Sequence, residues 1–217
     1  DVKGIAVIIV EDSIRAIRDI AEYIKAQVDV KTVAVTGSVG KTTTKDMIAS
    51  VLSQKYNTLW TDGNYNNEVG VPLTMFRIED HHEAAVIEMG MNHFGELDRI
   101  ATAVRPHIGV ISNVGVAHIG LLGSREGILK AKCEMLDHLD KDGVAILNAD
   151  NDMLQTLEGK LPQKIKWFGV ENKKDFYADE IEVVGLEQTK CTLHTPIGSV
   201  SVIIPVPGEH MVLNALS

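Results

Sequence analysis

The stretch "VAVTGSVGKTTTKDM" (33–47) sets two glycines, a cation and three threonines between a β-branched apolar run and the start of a helical pattern. That composition suits a polyanion. Gly37 and Gly40 let the backbone turn tightly and approach a ligand, and the following helix points its N-terminal dipole at the same spot. Ser38 and Val39 complete the turn, Lys41 adds a point charge, and Thr42, followed by Thr43, offers a hydroxyl to a magnesium ion. The strict phosphate-loop spacing G-x-x-x-x-G-K-[ST] asks for glycine where Val35 stands. The plainer alternative is a glycine-rich turn with a solvated lysine, but the Gly-Lys-Thr core in a strand–loop–helix context favours a nucleotide site.

Such a loop needs a scaffold, and the pattern supplies one. "GIAVIIV" (4–10) reads as a buried strand, and 12–28 is helical in spacing with Asp12 as N-cap. The loop's own strand and a helix from about 41 to 53 follow. A short strand (57–61), a polar loop "GNYNNEVG" (63–70) and a short helix (71–78) come next. Strands at 84–90, 107–115 and 143–150 alternate with helices at 95–104 and 124–139. That alternation predicts an α/β fold with a mostly parallel, Rossmann-like phosphate-loop sheet flanked by helices. After about residue 163 four strand-like stretches follow with short turns and no helix between them, which suggests a small antiparallel add-on packed against the parallel sheet.

In open α/β sheets the ligand sits outside the carboxyl ends of the strands. Besides the phosphate loop, two strands deliver polar residues there: Glu88 after "AAVI", and Asn113 to His118 after "GVIS". Glu88 is placed to hold magnesium alongside Thr42. It could equally be a strand-end glutamate that caps the next helix.

The chain has 217 residues, 45% hydrophobic and 24% charged, with a formal net charge of −9. It is long enough for a substantial core, and its acidity argues against a nucleic-acid groove. Cys133 and Cys191 lie far apart, without metal-ligand spacing, which fits a reducing cytoplasm. No apolar run approaches the length of a membrane span. The chain opens on Asp1 and stops at "GEHMVLNALS", within an apparent helix, so it reads as a fragment of a longer enzyme.

"TGSVGKTTTKDMI", "GNYNNEVGVPLT", "VIEMGMNHFGEL" and "ISNVGVAHIGLLGSREGILKAKCEM" resemble consecutive blocks of the Mur ligases, from about residue 31 to the end. The second and third blocks resemble the member that adds D-alanyl-D-alanine to a UDP-MurNAc-tripeptide more than the sisters that add single amino acids. The family has a UDP-sugar domain, a central ATPase and a C-terminal domain. The resemblance makes residues 31–217 the central ATP-binding domain and 1–30 the tail of the first, with the C-terminal domain absent. It implies a cytoplasmic, monomeric ligase of peptidoglycan synthesis that uses ATP and two magnesium ions through an acyl phosphate.

The resemblance also implies roles for residues. Gly37 to Thr43 would cradle ATP, with Lys41 on the β- and γ-phosphates and Thr42 and Glu88 on the first magnesium. His118 would help hold the second ion, and Lys132 would do so as a carbamate. Taken alone, His118 reads as a structural histidine; Lys132, four residues from both Ile128 and Leu136, shares the apolar side of its helix, with a solvated helix lysine as the plainer alternative. Asn66, Asn67, Ser124 and Arg125 would face the UDP-sugar peptide, and Asn214 would bond adenine. Met211 replaces the first asparagine of the family's H-N-x-x-N form. Two rival readings remain: another ligase of the superfamily, of the folylpolyglutamate or cyanophycin synthetase type, and a non-catalytic ATP-binding switch module.

Overall fold

The structure, a computed structural model, describes residue 4 and residues 6–217. Helix α1 (Ser13–Gln27) starts where Asp12 Oδ1 accepts the backbone N–H groups of Ile14 and Arg15 at 2.9 and 3.0 Å. The chain then runs β1 (Lys31–Thr36), α2 (Lys41–Leu52), β2 (Thr58–Trp60), α3 (Gly70–Met75), β3 (Ala84–Glu88), α4 (Glu96–Val104) and β4 (Ile108–Ile111). It continues through α5 (Ile119–Leu122), α6 (Arg125–Cys133), a 3₁₀ turn (Glu134–His138), β5 (Val144–Asn148), α7 (Asp152–Gln155) and β6 (Lys164–Gly169). Strands β7 (Phe176–Val184), β8 (Gln188–Thr195) and β9 (Gly198–Ile204) and helix α8 (Glu209–Leu216) complete it.

Among the described residues there is one sheet of nine strands, in the order β2-β3-β1-β4-β5-β6-β7-β8-β9. Every pairing from β2 to β7 is parallel, and β7-β8-β9 is antiparallel. Because β1 lies between β3 and β4, the chain leaves it in both directions, and its carboxyl end is a switch point where such sheets open a crevice.

Both faces of the parallel part are covered, so its strands are near-continuous apolar runs rather than alternating ones. Successive side chains point to opposite faces. Ala34, Ile87, Ile111 and Leu147 meet Leu97, Ile100, Val104, Ile128 and Met135 on one face. Val33, Val35, Val86 and Val110 meet Ala49, Ile48 and Leu52 of α2 on the other. A third cluster joins Ala178, Cys191 and Ile204 of the antiparallel strands to Met211 and Val212 of α8, with Met47 of α2 against it.

Two expectations need correction. Residues 6–10 form no strand, and Ile8 and Ile9 are 83% and 93% exposed; residue 5 lies outside the described residues. Strand propensity there finds no partner strand among the described residues, and without one the ladder cannot form. The expected antiparallel add-on is present as β7 to β9, but the first of the four stretches belongs to the parallel sheet. Strand β6 extends it in parallel, Ala145↔Ile165 and Leu147↔Trp167, and the antiparallel strands prolong the same sheet. The 124–139 helix is also shorter, tightening to the 3₁₀ turn after Cys133.

Candidate active site

The phosphate loop sits at the switch point. Register pairs Val35 with Glu88 on β3 and Thr36 with Ile111 on β4, so the loop emerges between the ends of those two strands. Gly40 has φ 80°, which a β-carbon would strain, and that carbon would meet Asn214 Oδ1 at 2.7 Å. A β-carbon on Gly37 would lie 2.0 Å from Ser112 Oγ. The two glycines are therefore fixed by α8 on one flank and the residue that follows β4 on the other.

Asn113 holds the tip of the loop. Its Oδ1 accepts the N–H groups of Ser38 and Val39 at 3.2 and 3.1 Å, and its Nδ2 donates to the Val39 carbonyl at 2.8 Å. Ser112 Oγ donates to the same carbonyl at 3.0 Å, and the Gly115 N–H donates to Ser38 Oγ at 2.9 Å. The first turn of α2 is left open. The N–H groups of Lys41, Thr42 and Thr43 have no acceptor within the helix, and the N-cap Gly40 has no side chain to supply one. An anion is the natural partner for such a terminus. Lys41 Nζ donates to the Gly37 carbonyl at 3.0 Å, which places its charge over the loop. Burial pushes its pKa below the ordinary lysine value, and the Glu88 carboxylate works in the opposite direction.

Glu88 is 1% exposed. Its N–H donates to Thr61 Oγ1 at 2.9 Å and its Oε1 accepts from Asn66 Nδ2 at 2.7 Å, but its buried Oε2 has no partner. Leaving a buried charged oxygen unpaired costs on the order of 1–3 kcal/mol or more. Thr36 Oγ1, on the adjacent strand just before the loop, is buried and unpartnered too. Among the described residues no three His, Cys, Asp or Glu side chains form a metal cage. Magnesium requires no such cage: it binds through one or two carboxylates together with nucleotide phosphates and keeps several waters. The orphaned Oε2 and the exposed Thr42 hydroxyl are a donor set such an ion fits.

His118 is the N-cap of α5 in a left-handed conformation, φ 67°. Burial, then the positive charges of Lys132 and Lys41, hold its pKa below the ordinary histidine value, with Glu96 opposing. It is neutral at pH 7, with a lone pair free for a cation. Lys132 is 2% exposed, on the inner face of α6. Burial, followed by the Lys41 charge, lowers its pKa to about 7, and no carboxylate offsets it. The plain reading of Lys132 as a solvated lysine is therefore wrong. The Lys41 and Lys132 charges are close enough to act on His118, Lys41 acts on Lys132, and Glu88 acts on Lys41.

Beside the loop a cavity of about 510 Å³ is lined by Val39, Gly40, Thr43, Ser112, Asn113, Asn148, Phe168, His210, Met211, Leu213 and Asn214. Its apolar wall and the amide of Asn214 suit a planar base next to the phosphate loop. The other residues expected at the substrate are differently engaged. Asn66 turns to Glu88. Asn67 Oδ1 accepts the N–H groups of Val69 and Gly70 at the start of α3, at 3.1 and 2.8 Å. Ser124 caps α6 by accepting from the Gly127 N–H at 3.2 Å. Arg125 forms a two-point pair with Asp152, at 2.7 and 2.5 Å, and donates to the Val114 carbonyl at 2.8 Å. Sequence reasoning missed Lys45, Thr61 and Asn148, all buried polar residues that hold the site's loops. None of them carries a local signal.

The fold and the loop define a doubly wound phosphate-loop domain. The Mur ligase middle domain matches residues 35–217, and the chain belongs to that family. It is 41% identical over 212 residues to the UDP-N-acetylmuramoyl-tripeptide–D-alanyl-D-alanine ligase of Escherichia coli K12, covering 97% of this chain and 47% of that protein. A crystal structure of MurF from Acinetobacter baumannii superposes with a TM-score of 0.91 at 41% identity, over 96% of this chain and 46% of that one. MurF of Thermotoga maritima, crystallised in complex with ADP, superposes at 0.88 with 26% identity, over 100% of this chain and 50% of that one. The chain thus spans about half the length of the relatives it matches.

Proposed function

We propose that residues 31–217 are the central ATP-binding domain of a cytoplasmic ligase that joins D-alanyl-D-alanine to a UDP-MurNAc-tripeptide in peptidoglycan synthesis. The observation that carries the site is the buried, unpartnered Oε2 of Glu88 beside the uncapped start of α2. The named relatives support the choice of substrates.

In this reading the first-turn N–H groups of α2 and the Lys41 ammonium bind the β- and γ-phosphates, and Asn113 keeps the loop in shape. The peptide's terminal carboxylate attacks the γ-phosphorus and ADP leaves. The amine of D-alanyl-D-alanine then attacks the acyl carbon of the acyl phosphate, and inorganic phosphate departs with the amide formed. Thr42 and Glu88 would hold one magnesium ion, and His118 and Lys132 would face a second. Magnesium bound there would neutralise phosphate charge during transfer. Lys41 supplies fixed positive charge where the transferring oxygens become more negative. A lysine with a pKa of about 7 is substantially free amine at neutral pH. It can add to carbon dioxide and lose a proton, which gives Lys132 a carbamate anion in place of an ammonium. The test is ADP release by the enzyme that carries this domain: it should require both the UDP-MurNAc-tripeptide and D-alanyl-D-alanine. Release that ignores the tripeptide would leave only a nucleotide-binding module.

A further inference from the structure

Lys45 is among the largest fully buried side chains and is 2% exposed, yet the chemistry above makes no use of it. It lies four residues after Lys41, on the same side of α2. Its Nζ donates to the carbonyls of Thr61 at 2.8 Å and Gly63 at 3.3 Å and pairs with Asp46 Oδ1 at 2.8 Å. Burying an ammonium is costly unless it is paired and hydrogen-bonded. The charge here is engaged by Asp46 of its own helix and, through two carbonyls, by one short segment outside it.

That segment grips Glu88 from several sides. Thr61, fully buried, donates its N–H to the Val86 carbonyl at 3.0 Å and accepts the Glu88 N–H on Oγ1 at 2.9 Å. Asn66 Nδ2 holds Glu88 Oε1 at 2.7 Å, and the Asn66 carbonyl accepts the Gly90 N–H at 2.7 Å. Only Oε2 is left over. We infer that Lys45 is a positioning residue that ties the helix bearing Lys41 and Thr42 to the segment that aims Glu88, holding the two metal-facing side chains in one frame. This rests on the proposed reading of Thr42 and Glu88 as a metal-binding pair. A metal shared by two elements binds well only if their separation is fixed, and partners behind the ligands are worth about 10–100-fold in metal affinity.

The test is ATP binding by the 217-residue chain, in magnesium and in EDTA, for wild type, Lys45→Met, Glu88→Gln and the double variant. Lys45→Met keeps the stem and removes the donors. Its affinity in EDTA should stay within about twofold of wild type, while the tightening produced by magnesium falls by about tenfold or more. The double variant should be no weaker than Glu88→Gln alone, because the two act through one interaction. Thr61→Val, which removes only the acceptor of the Glu88 N–H, should show the same selective loss and carries the test if Lys45→Met fails to fold. Equal losses in magnesium and EDTA, additive losses in the double variant, or a normal magnesium response in Thr61→Val would overturn the inference. A wild-type chain with no magnesium effect would instead bring down the metal-site reading, and the inference with it.

Discussion

The two ends of the central strands both carry polar side chains, but they treat them differently. At the amino ends several are paired with one another, though Gln163 Oε1, just before β6, is buried without a partner. His107 Nδ1 accepts the Thr32 N–H at 3.1 Å while its Nε2 meets Asp140 at 2.9 Å. Lys31 Nζ donates to Asp29 at 3.0 Å, and Glu83 Oε2 accepts the Asn57 N–H at 3.0 Å. At the carboxyl ends Glu88 Oε2 and Thr36 Oγ1 have no partner, the start of α2 is uncapped, and Lys132 has no counter-charge. Two clefts of about 490 and 400 Å³ open at the amino end, lined by both signs of charge, Asp29, Asp80, Asp140 and Asp142 beside Lys31 and Lys141, with no phosphate loop. Size and polarity of a cleft do not mark the site here. Unmet hydrogen-bonding capacity does, because a binding site must keep free the groups its ligand will satisfy.

The sharpest way to break this contrast is Lys41→Ala. It should lower kcat of the enzyme carrying this domain by at least about a hundredfold, ~2.7 kcal/mol, with the fold intact by circular dichroism. A loss under about tenfold, measured by steady-state kinetics, would remove Lys41 from the phosphates.

Glu88→Gln comes next. The magnesium concentration giving half-maximal activity should rise by about tenfold or more. The thermal midpoint of the unliganded chain should hold or rise, since a buried unpaired charge has been removed. His107→Ala at the opposite end should do the reverse. It orphans the Thr32 N–H and costs about 1–3 kcal/mol, read by denaturant unfolding, while ATP affinity is unchanged. If Glu88→Gln destabilised the chain as much as His107→Ala, the two ends would not differ as described.

The last prediction concerns pH. The folded pKa of Lys132 is about 7, well below the ordinary lysine value, so between those two values the unfolded chain holds a proton that the folded one has lost. Stability should therefore rise as pH climbs from 7 towards 10, and the rise should flatten in Lys132→Met. Calorimetric midpoints across that range check it, and an unchanged slope would place the ionisation elsewhere.

Local signals made much of this legible. Asp12 and the spacing after it define α1, and the Gly-Lys-Thr core marks both the loop and the turn into α2. Glu88 was visible as a carboxylate ending an apolar run, though its free oxygen was not. What local pattern could not show depends on distant partners. The "GIAVIIV" run has strand propensity but no neighbouring strand among the described residues, so residues 6–10 stay exposed. Strand β6 looks like its antiparallel successors, and only its pairing with β5 makes it parallel. Lys45 reads as one more surface lysine on a helix until the carbonyls of Thr61 and Gly63 close over it. Arg125 and Ser124, which the resemblance sets before the substrate, also bond to Asp152, Val114 and Gly127, contacts that no local pattern announces.

The most direct measurement is a crystal structure of this chain with a non-hydrolysable ATP analogue and magnesium. The account predicts phosphate oxygens on the N–H groups of Lys41, Thr42 and Thr43, and a magnesium ion bound by Glu88 Oε2 and Thr42 Oγ1 at about 2.0–2.1 Å. A nucleotide seated with its magnesium while Glu88 Oε2 stays without a ligand would contradict it.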